Sequence, residues 1–439
     1  MHNNTTEDQS YTTQSLTGLP QLARTATYLV GGGGGDSPPL FLDHLTTNDI
    51  ADDVLLDSNT NENQSNNKPQ YSKCEIYGGS RKGAKTFQED SYFSYTTSNN
   101  KCIVGGVMDG HGGYNGMIAS QTARDTALDF FDKHSSECES WSIDEWKSHL
   151  HDLFLHMHQT IRNKFIEHNS AHGHTEQRHI DDKGIVRTAN NDPVHGGSTC
   201  TIVVLIKSSN NKSATIISAN VGDSTSLLLP VNKLDAPSNL YEFLSTDHGP
   251  EASEEFMRIK QMNISTRLLL VYDKTTVMRK FECPTVFNED GKRDEQLVSN
   301  PWGHGLHPTN VRYEPAVYAV TPRTVSKDST CIAMTRALGD FYAHQFGLTC
   351  EPDINVRSIK ISTMNNVPFK FTLVVASDGI WDCWKYDDFA EYVSTQLIVK
   401  HSNVTQAGDN ILDESISRAV HNFGAKHYDD AALVMFCWP

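Results

Sequence analysis

The chain of 439 residues has no basic run. Its 37 lysines and arginines are outnumbered by 54 acids, for a formal charge of −17. No stretch concentrates enough positive charge to hold a phosphate backbone, which excludes nucleic acid as a main partner. Long apolar runs are missing as well, and nothing approaches the ~18 residues of a membrane-spanning helix. The opening MHNNTTEDQS lacks the charged-then-apolar layout of a secretory signal, and His2 stands where N-myristoylation needs glycine. An intracellular protein, cytoplasmic and/or nuclear, is expected. Cysteine pairs are absent too. The nine cysteines are dispersed, odd in number and without a CxxC, a pattern of reduced, buried thiols rather than of a disulfide frame or zinc site.

What is present divides the chain in two. Residues 1–70 are dominated by Asn, Thr, Ser, Gln, Asp and Gly, with GGGGGD at 31–36. Such a composition buries too little apolar surface to offset its ordering entropy, so a disordered tail is expected. Residues 71–439 read as one domain built from strand-length apolar runs at 101–108, 198–207, 214–221, 225–231, 369–377 and 431–438. Two stretches have helical period instead. Ile118, Ala119, Ala123, Ala127 and Phe130 share one face, as do Leu150, Leu153, Phe154, Met157, Ile161 and Phe165. Strands outnumber helices without alternating with them, which predicts an α+β fold, a β-sandwich flanked by helices, over a doubly wound sheet.

Acids recur at the strand ends. Asp109 follows the run at 101–108, Asp223 the run at 214–221 and Asp378 the run at 369–377. Asp429 precedes 431–438, and Asp90 sits in FQEDSYF beside a further strand. One such aspartate usually starts a turn. Five at one rim would repel unless cations neutralise them, and oxygen-only donors favour Mg²⁺ or Mn²⁺ over Zn²⁺. Asp109 lies in VGGVMDGHGGYNG (104–116), whose six glycines suit either a phosphate cradle or a cleared metal corner. A nucleotide loop fails on spacing, since no Lys-Ser/Thr follows.

QEDSYF (88–93), VMDGHGG (107–113), GGSTCTIVVL (196–205), ANVGDS (219–224), STDHGPEASEE (245–255), MTRALGDF (334–341), VVASDGIWD (374–382) and HYDDAALVMF (427–436) follow one another along the chain. In that order they resemble the motifs of the metal-dependent, type-2C protein phosphatases, from about Ser80 to the C-terminus. The resemblance implies a two-sheet sandwich with helices on both outer faces (α/β/β/α) and a binuclear Mg²⁺ or Mn²⁺ centre at one end. Asp109 then corresponds to the bridging ligand, the Gly110 carbonyl to a further ligand, and Asp378 and Asp429 to the other direct ligands. Glu89 and Asp90 are similar to residues that reach the ions through water, and Asp223 to one lining an auxiliary third position. His111 resembles the general acid. The implied reaction is hydrolysis of phosphoserine or phosphothreonine in phosphoprotein substrates by a metal-activated water, without a covalent phosphoenzyme, in a monomer.

Departures from the pattern carry their own expectations. Lys85 stands where an arginine usually grips phosphate, losing the bidentate fork, and Arg81 is placed to compensate. This keeps a pseudophosphatase, a binding module without turnover, as the alternative, against the intact Glu89, Asp90, Asp109, Asp378 and Asp429. Asp430 replaces the usual asparagine and is expected to point into solvent. A long insertion at about 262–335 replaces a short flap and is expected to recognise substrate or partner, with Trp302 as anchor. Eight histidines between His149 and His179 are read as solvated or partly packed, since no cysteine or paired carboxylate nearby completes a site.

Overall fold

The structure, a computed structural model, describes residues 73–167, 177–210, 212–230, 240–272, 283–293, 317–322, 330–360 and 371–438. The tail at 1–70 and Trp302 lie outside the described residues. Nine strands carry the fold: β1 (Glu75–Arg81), β2 (Asp90–Thr96), β3 (Cys102–His111), β4 (Cys200–Lys207), β5 (Ser213–Val221), β6 (Thr225–Pro230), β7 (Asp353–Lys360), β8 (Phe371–Ala376) and β9 (Ala431–Trp438). One sheet has the order β1-β9-β8-β6, closed at its edge by Glu242–Phe243. The other runs β2-β3-β4-β5-β7, and beyond the end of β3 it continues through Gly197–Ser198 and Leu338–Gly339. The pairings within both sheets are antiparallel.

The apolar runs are continuous because these strands bury both faces. On β9, Ala432, Val434, Phe436 and Trp438 point between the sheets, where they meet Ile103, Val107, Val203 and Leu205. Leu433, Met435 and Cys437 point the other way, onto helices α5 (Tyr386–Ser394) and α6 (Val404–Phe423). Val104, Met108, Ile202 and Val204 face outward on the second sheet, under α1 (Tyr114–Lys133) and α2 (Ile143–Glu167). Four layers, α/β/β/α, follow from a period of two with both phases apolar. Ser142 and Glu145 cap α2 reciprocally, each side chain accepting the other's backbone N–H at 3.3 and 2.7 Å. Asn403 caps α6 by accepting the Gln406 N–H at 2.8 Å.

Two elements escape the sequence pattern. β7, DINVRSIK, is a largely exposed edge strand on β5, so its charges face water and leave no apolar period. β3 runs on to His111 instead of ending before Asp109, because Gly110 and His111 pair with Ser198 and Gly197. The described parts of the insertion are also less loop-like than expected. Leu269–Tyr272, Val317–Val320 and Cys331–Ile332 form a three-stranded antiparallel sheet. It shares a small apolar core, including Ile259, Val286 and Phe346, with α3 (Ser253–Gln261).

A charged network ties that subdomain to β7. The buried Glu255 carboxylate accepts from Arg336 at 2.7 and 3.0 Å, from Arg258 at 2.7 and 2.9 Å, and from the Thr335 hydroxyl at 2.7 Å. Arg336 also donates to Asp353 at 2.7 Å, and His248 meets the other Asp353 oxygen at 3.1 Å. Burial alone would raise the Glu255 carboxyl, but the arginines overturn it and hold it at about 2. The His248 hydrogen bond, with Arg336, holds Asp353 at about 2 as well. Both values are depressed below those of the unfolded chain. Their stabilisation is therefore full above about pH 5 and disappears as pH falls towards 2. Glu255→Gln leaves Arg258 without its carboxylate and Arg336 with only the Asp353 carboxylate, and should cost about 3 kcal/mol at pH 7. Denaturant titrations should show the variant losing less further stability than wild type between pH 5 and 3; parallel curves would refute the assignment.

Candidate active site

The acids reach one end of the sandwich by strand register. Antiparallel pairing of β2 with β3 sets Asp90 opposite Asp109. Asp223 lies in the turn between β5 and β6, after Gly222 with φ +92°. Asp378 opens the single helical turn α4 (Asp378–Trp381) at the end of β8. One carboxylate oxygen from each of Asp109, Asp223 and Asp378 lies within 4.8 Å of the others, and all three side chains are buried. Thr199 fixes two of these positions. Its hydroxyl accepts the Asp109 N–H at 3.0 Å and meets the Ser224 hydroxyl at 2.7 Å.

Asp90 completes the rim. One oxygen accepts from the Ser377 hydroxyl at 2.6 Å, while Oδ1 is buried with no hydrogen-bond partner among the described residues. Burial, then the nearby Asp430 and Asp429 charges, push the Asp90 carboxyl well above its ordinary range. Burial also raises Glu89, whose Oε2 accepts the Gly113 N–H at 3.1 Å. Crowded, desolvated carboxylates with an orphaned oxygen fit a hard divalent cation, which neutralises them and takes oxygen donors.

His111, at the end of β3, directs Nε2 at Asp340 Oδ2 across 2.6 Å, and both side chains are buried. The following Gly112 and Gly113 have φ +104° and +69° and lead into α1. A Cβ on Gly112 would stand 2.7 Å from the Gly196 Cα, so the turn admits only glycine. Gly110 is similarly confined, between the Gly116 and Glu89 carbonyls.

Asp429 lies outside the group of three. It is paired with Lys85 and accepts the Asp430 N–H at 2.7 Å. The lysine expected to contact phosphate thus rests on an expected metal ligand. Arg81 is not placed to compensate, for it bonds Asp413 at 2.8 Å and Asp409 at 3.1 Å on α6. Asp430 corrects a further expectation. It does not point into solvent; it is fully buried and accepts the Gly83 N–H at 2.6 Å and the Glu89 N–H at 2.7 Å. A carboxylate serves both donors where asparagine has a single oxygen.

A model of the family "Protein phosphatase 2C" matches residues 75–309 and 316–423. The chain belongs to the protein phosphatase 2C family. Among its relatives is probable protein phosphatase 2C 73 of Oryza sativa subsp. japonica, 26% identical over 55% of this chain and 44% of the relative. Protein phosphatase ppm-1.A of Caenorhabditis elegans is 31% identical over 25% of this chain and 22% of the relative. The chain thus spans less than half the length of either. Among solved structures, a serine-threonine phosphatase 2C from Toxoplasma gondii superposes with a TM-score of 0.54 at 14% identity, over 85% of this chain and 98% of that one. The protein phosphatase 2C fold read from the motifs is the fold observed.

Sequence reasoning missed Asp340, Asp430 and Thr199. ALGD advertised an acid but not its partner 229 positions away, and Thr199, between the strand segments Gly197–Ser198 and Cys200–Lys207, looks like any other threonine of the chain. Removing the Asp430 carboxylate takes the acceptor from the buried Glu89 N–H and the partly buried Gly83 N–H. Asp430→Ala should cost about 3 kcal/mol in chemical denaturation and Asp430→Asn about half that; an unchanged Asp430→Ala midpoint would rule out the inward placement.

Proposed function

We propose that the chain is a metal-dependent protein phosphatase acting on phosphoserine and phosphothreonine. The observation that carries this reading is the buried group Asp109, Asp223 and Asp378 beside a histidine clamped by an aspartate. Asp109, Asp223 and Asp378 would hold Mg²⁺ or Mn²⁺, with the Gly110 carbonyl, Glu89 and Asp90 in support. When bound, such ions neutralise phosphoryl charge and acidify water for in-line attack.

The chain's own residues supply the rest. Asp340 orients His111 through Nε2, and a proton would pass from the imidazolium of His111 to the departing serine or threonine oxygen. Lys85 is the candidate phosphate contact. To reach a substrate it exchanges the Asp429 carboxylate for a phosphoryl oxygen, a swap between anions that leaves its charge compensated. A point-charge ammonium holds phosphate less selectively than a guanidinium fork, which predicts a high KM rather than a low kcat.

Three variants test this on a phosphothreonine peptide with Mn²⁺. Asp109→Ala and Asp378→Ala should lose turnover by at least about a thousandfold and keep wild-type circular dichroism. Lys85→Arg should lower KM severalfold with kcat held. Activity indifferent to EDTA, or full activity in either aspartate variant, would remove the metal-dependent reading. Metal binding by calorimetry without turnover in wild type would instead make the chain a binding module.

A further inference from the structure

The histidines of α2 find in the fold what the sequence withholds. His158 of α2, His344 in the turn after Asp340 and Cys350 present one ligand atom each, all within 4.8 Å of one another. The two imidazole centroids are 4.6 Å apart. His158 and Cys350 are buried, and His344 Nε2 is buried with no hydrogen-bond partner among the described residues. Burial keeps both imidazoles neutral near pH 7, with His344 pushed down to about 4, so each ring offers a lone pair. Burial pushes the Cys350 thiol up to about 11, against a smaller opposing pull from Arg162, so it becomes a thiolate only when a cation takes the place of its proton.

We infer that His158, His344 and Cys350 form a second metal site, for a thiophilic cation of the Zn²⁺ class, distinct from the carboxylate centre. Two imidazoles and a thiolate suit Zn²⁺ and disfavour Mg²⁺. Zn–N and Zn–S bonds of about 2.0 and 2.3 Å set tetrahedral ligand atoms about 3.5 Å apart. The group therefore closes with side-chain shifts of about 1 Å, and three ligands leave a fourth position to water. Cys350 gives up its thiol proton to solvent on binding.

Occupation has a consequence one residue from Asp340. The Gly339 N–H donates to His158 Nδ1 at 3.2 Å. A cation on Nδ1 takes that lone pair. A cation on Nε2 moves the ring proton to Nδ1, and the lone pair is again lost. Either way the Gly339 N–H is released, beside the aspartate that orients His111.

Co²⁺ is the probe, because thiolate–cobalt charge transfer absorbs in the near ultraviolet and carboxylate–cobalt contacts do not. The full chain, saturated with Mg²⁺, should develop that band to a plateau at one equivalent, and Zn²⁺ should bleach it. Cys350→Ser should abolish the band, His344→Gln should weaken cobalt binding about tenfold or more, and Cys331→Ser should leave both unchanged. No band in wild type, or a band that survives Cys350→Ser, overturns the site; should Cys350→Ser not fold, His344→Gln decides alone. Zn²⁺ should also speed amide exchange in 337–341 about tenfold, by loss of the Gly339 bond. Unchanged or slower exchange there keeps the site and overturns its link to Asp340.

Discussion

Mutual repulsion among buried carboxylates is the constraint on which the rest of this structure turns. Asp90, Asp109, Asp223, Asp378 and Asp430 are all buried at one rim, where each unneutralised charge costs several kcal/mol. No single segment could hold them there. The rim is assembled from four strand ends and the β2–β3 register, and the strands beneath it are buried on both faces. Covering both sheets with helices makes the sandwich stiff enough to hold like charges at fixed separation. Without α1 and α2 on one side and α5 and α6 on the other, the outward Val104 and Leu433 rows would face water.

The protein half-solves the repulsion itself. Ser377 bonds one oxygen of Asp90, two backbone N–H groups take both oxygens of Asp430, Lys85 meets Asp429, and His111 meets Asp340. These partners fix rotamers without discharging the group, and burial still pushes Asp90, Glu89 and Asp430 upward. A site left short of positive charge has the donor set and the potential that suit a divalent cation. Lys85, paired with Asp429, is the cation that lowers the raised carboxyls of Glu89, Asp90 and Asp430.

Much of this was legible in the sequence because it depends on local pattern. Continuous apolar runs ending in aspartate mark doubly buried strands that open at one rim, and the glycines after His111 mark a turn with positive φ. Other features were hidden because they depend on what a distant residue needs. Asp430 reads as an extra charge until the Gly83 and Glu89 N–H groups are seen to require two oxygens. β7 has no apolar period because its outer edge is wet. The histidines of α2 read as solvated or partly packed until the chain returns Cys350 and His344 to one of them, His158, nearly 200 residues later. Pairing across such separations is set by the assembled sheets and helices, and no window of sequence contains it.

Two charge clusters among the described residues make the physical point together. Around Glu255, two arginines and His248 meet two acids, and the carboxyls of Glu255 and Asp353 are held at about 2. At the rim the same residue types are starved of cations and their carboxyls rise. Glu255 is as buried as the rim acids, so its opposite shift follows from the arginines beside it, whereas Asp353 is half-exposed as well as paired. The first cluster is satisfied within the protein and can serve only to join α3 and the Asp340 segment to β7. The second keeps its carboxyls raised despite its partners within the protein. Arg336 belongs to the satisfied cluster and stands four residues before Asp340, so the same short segment anchors the rigid network and delivers the partner of His111.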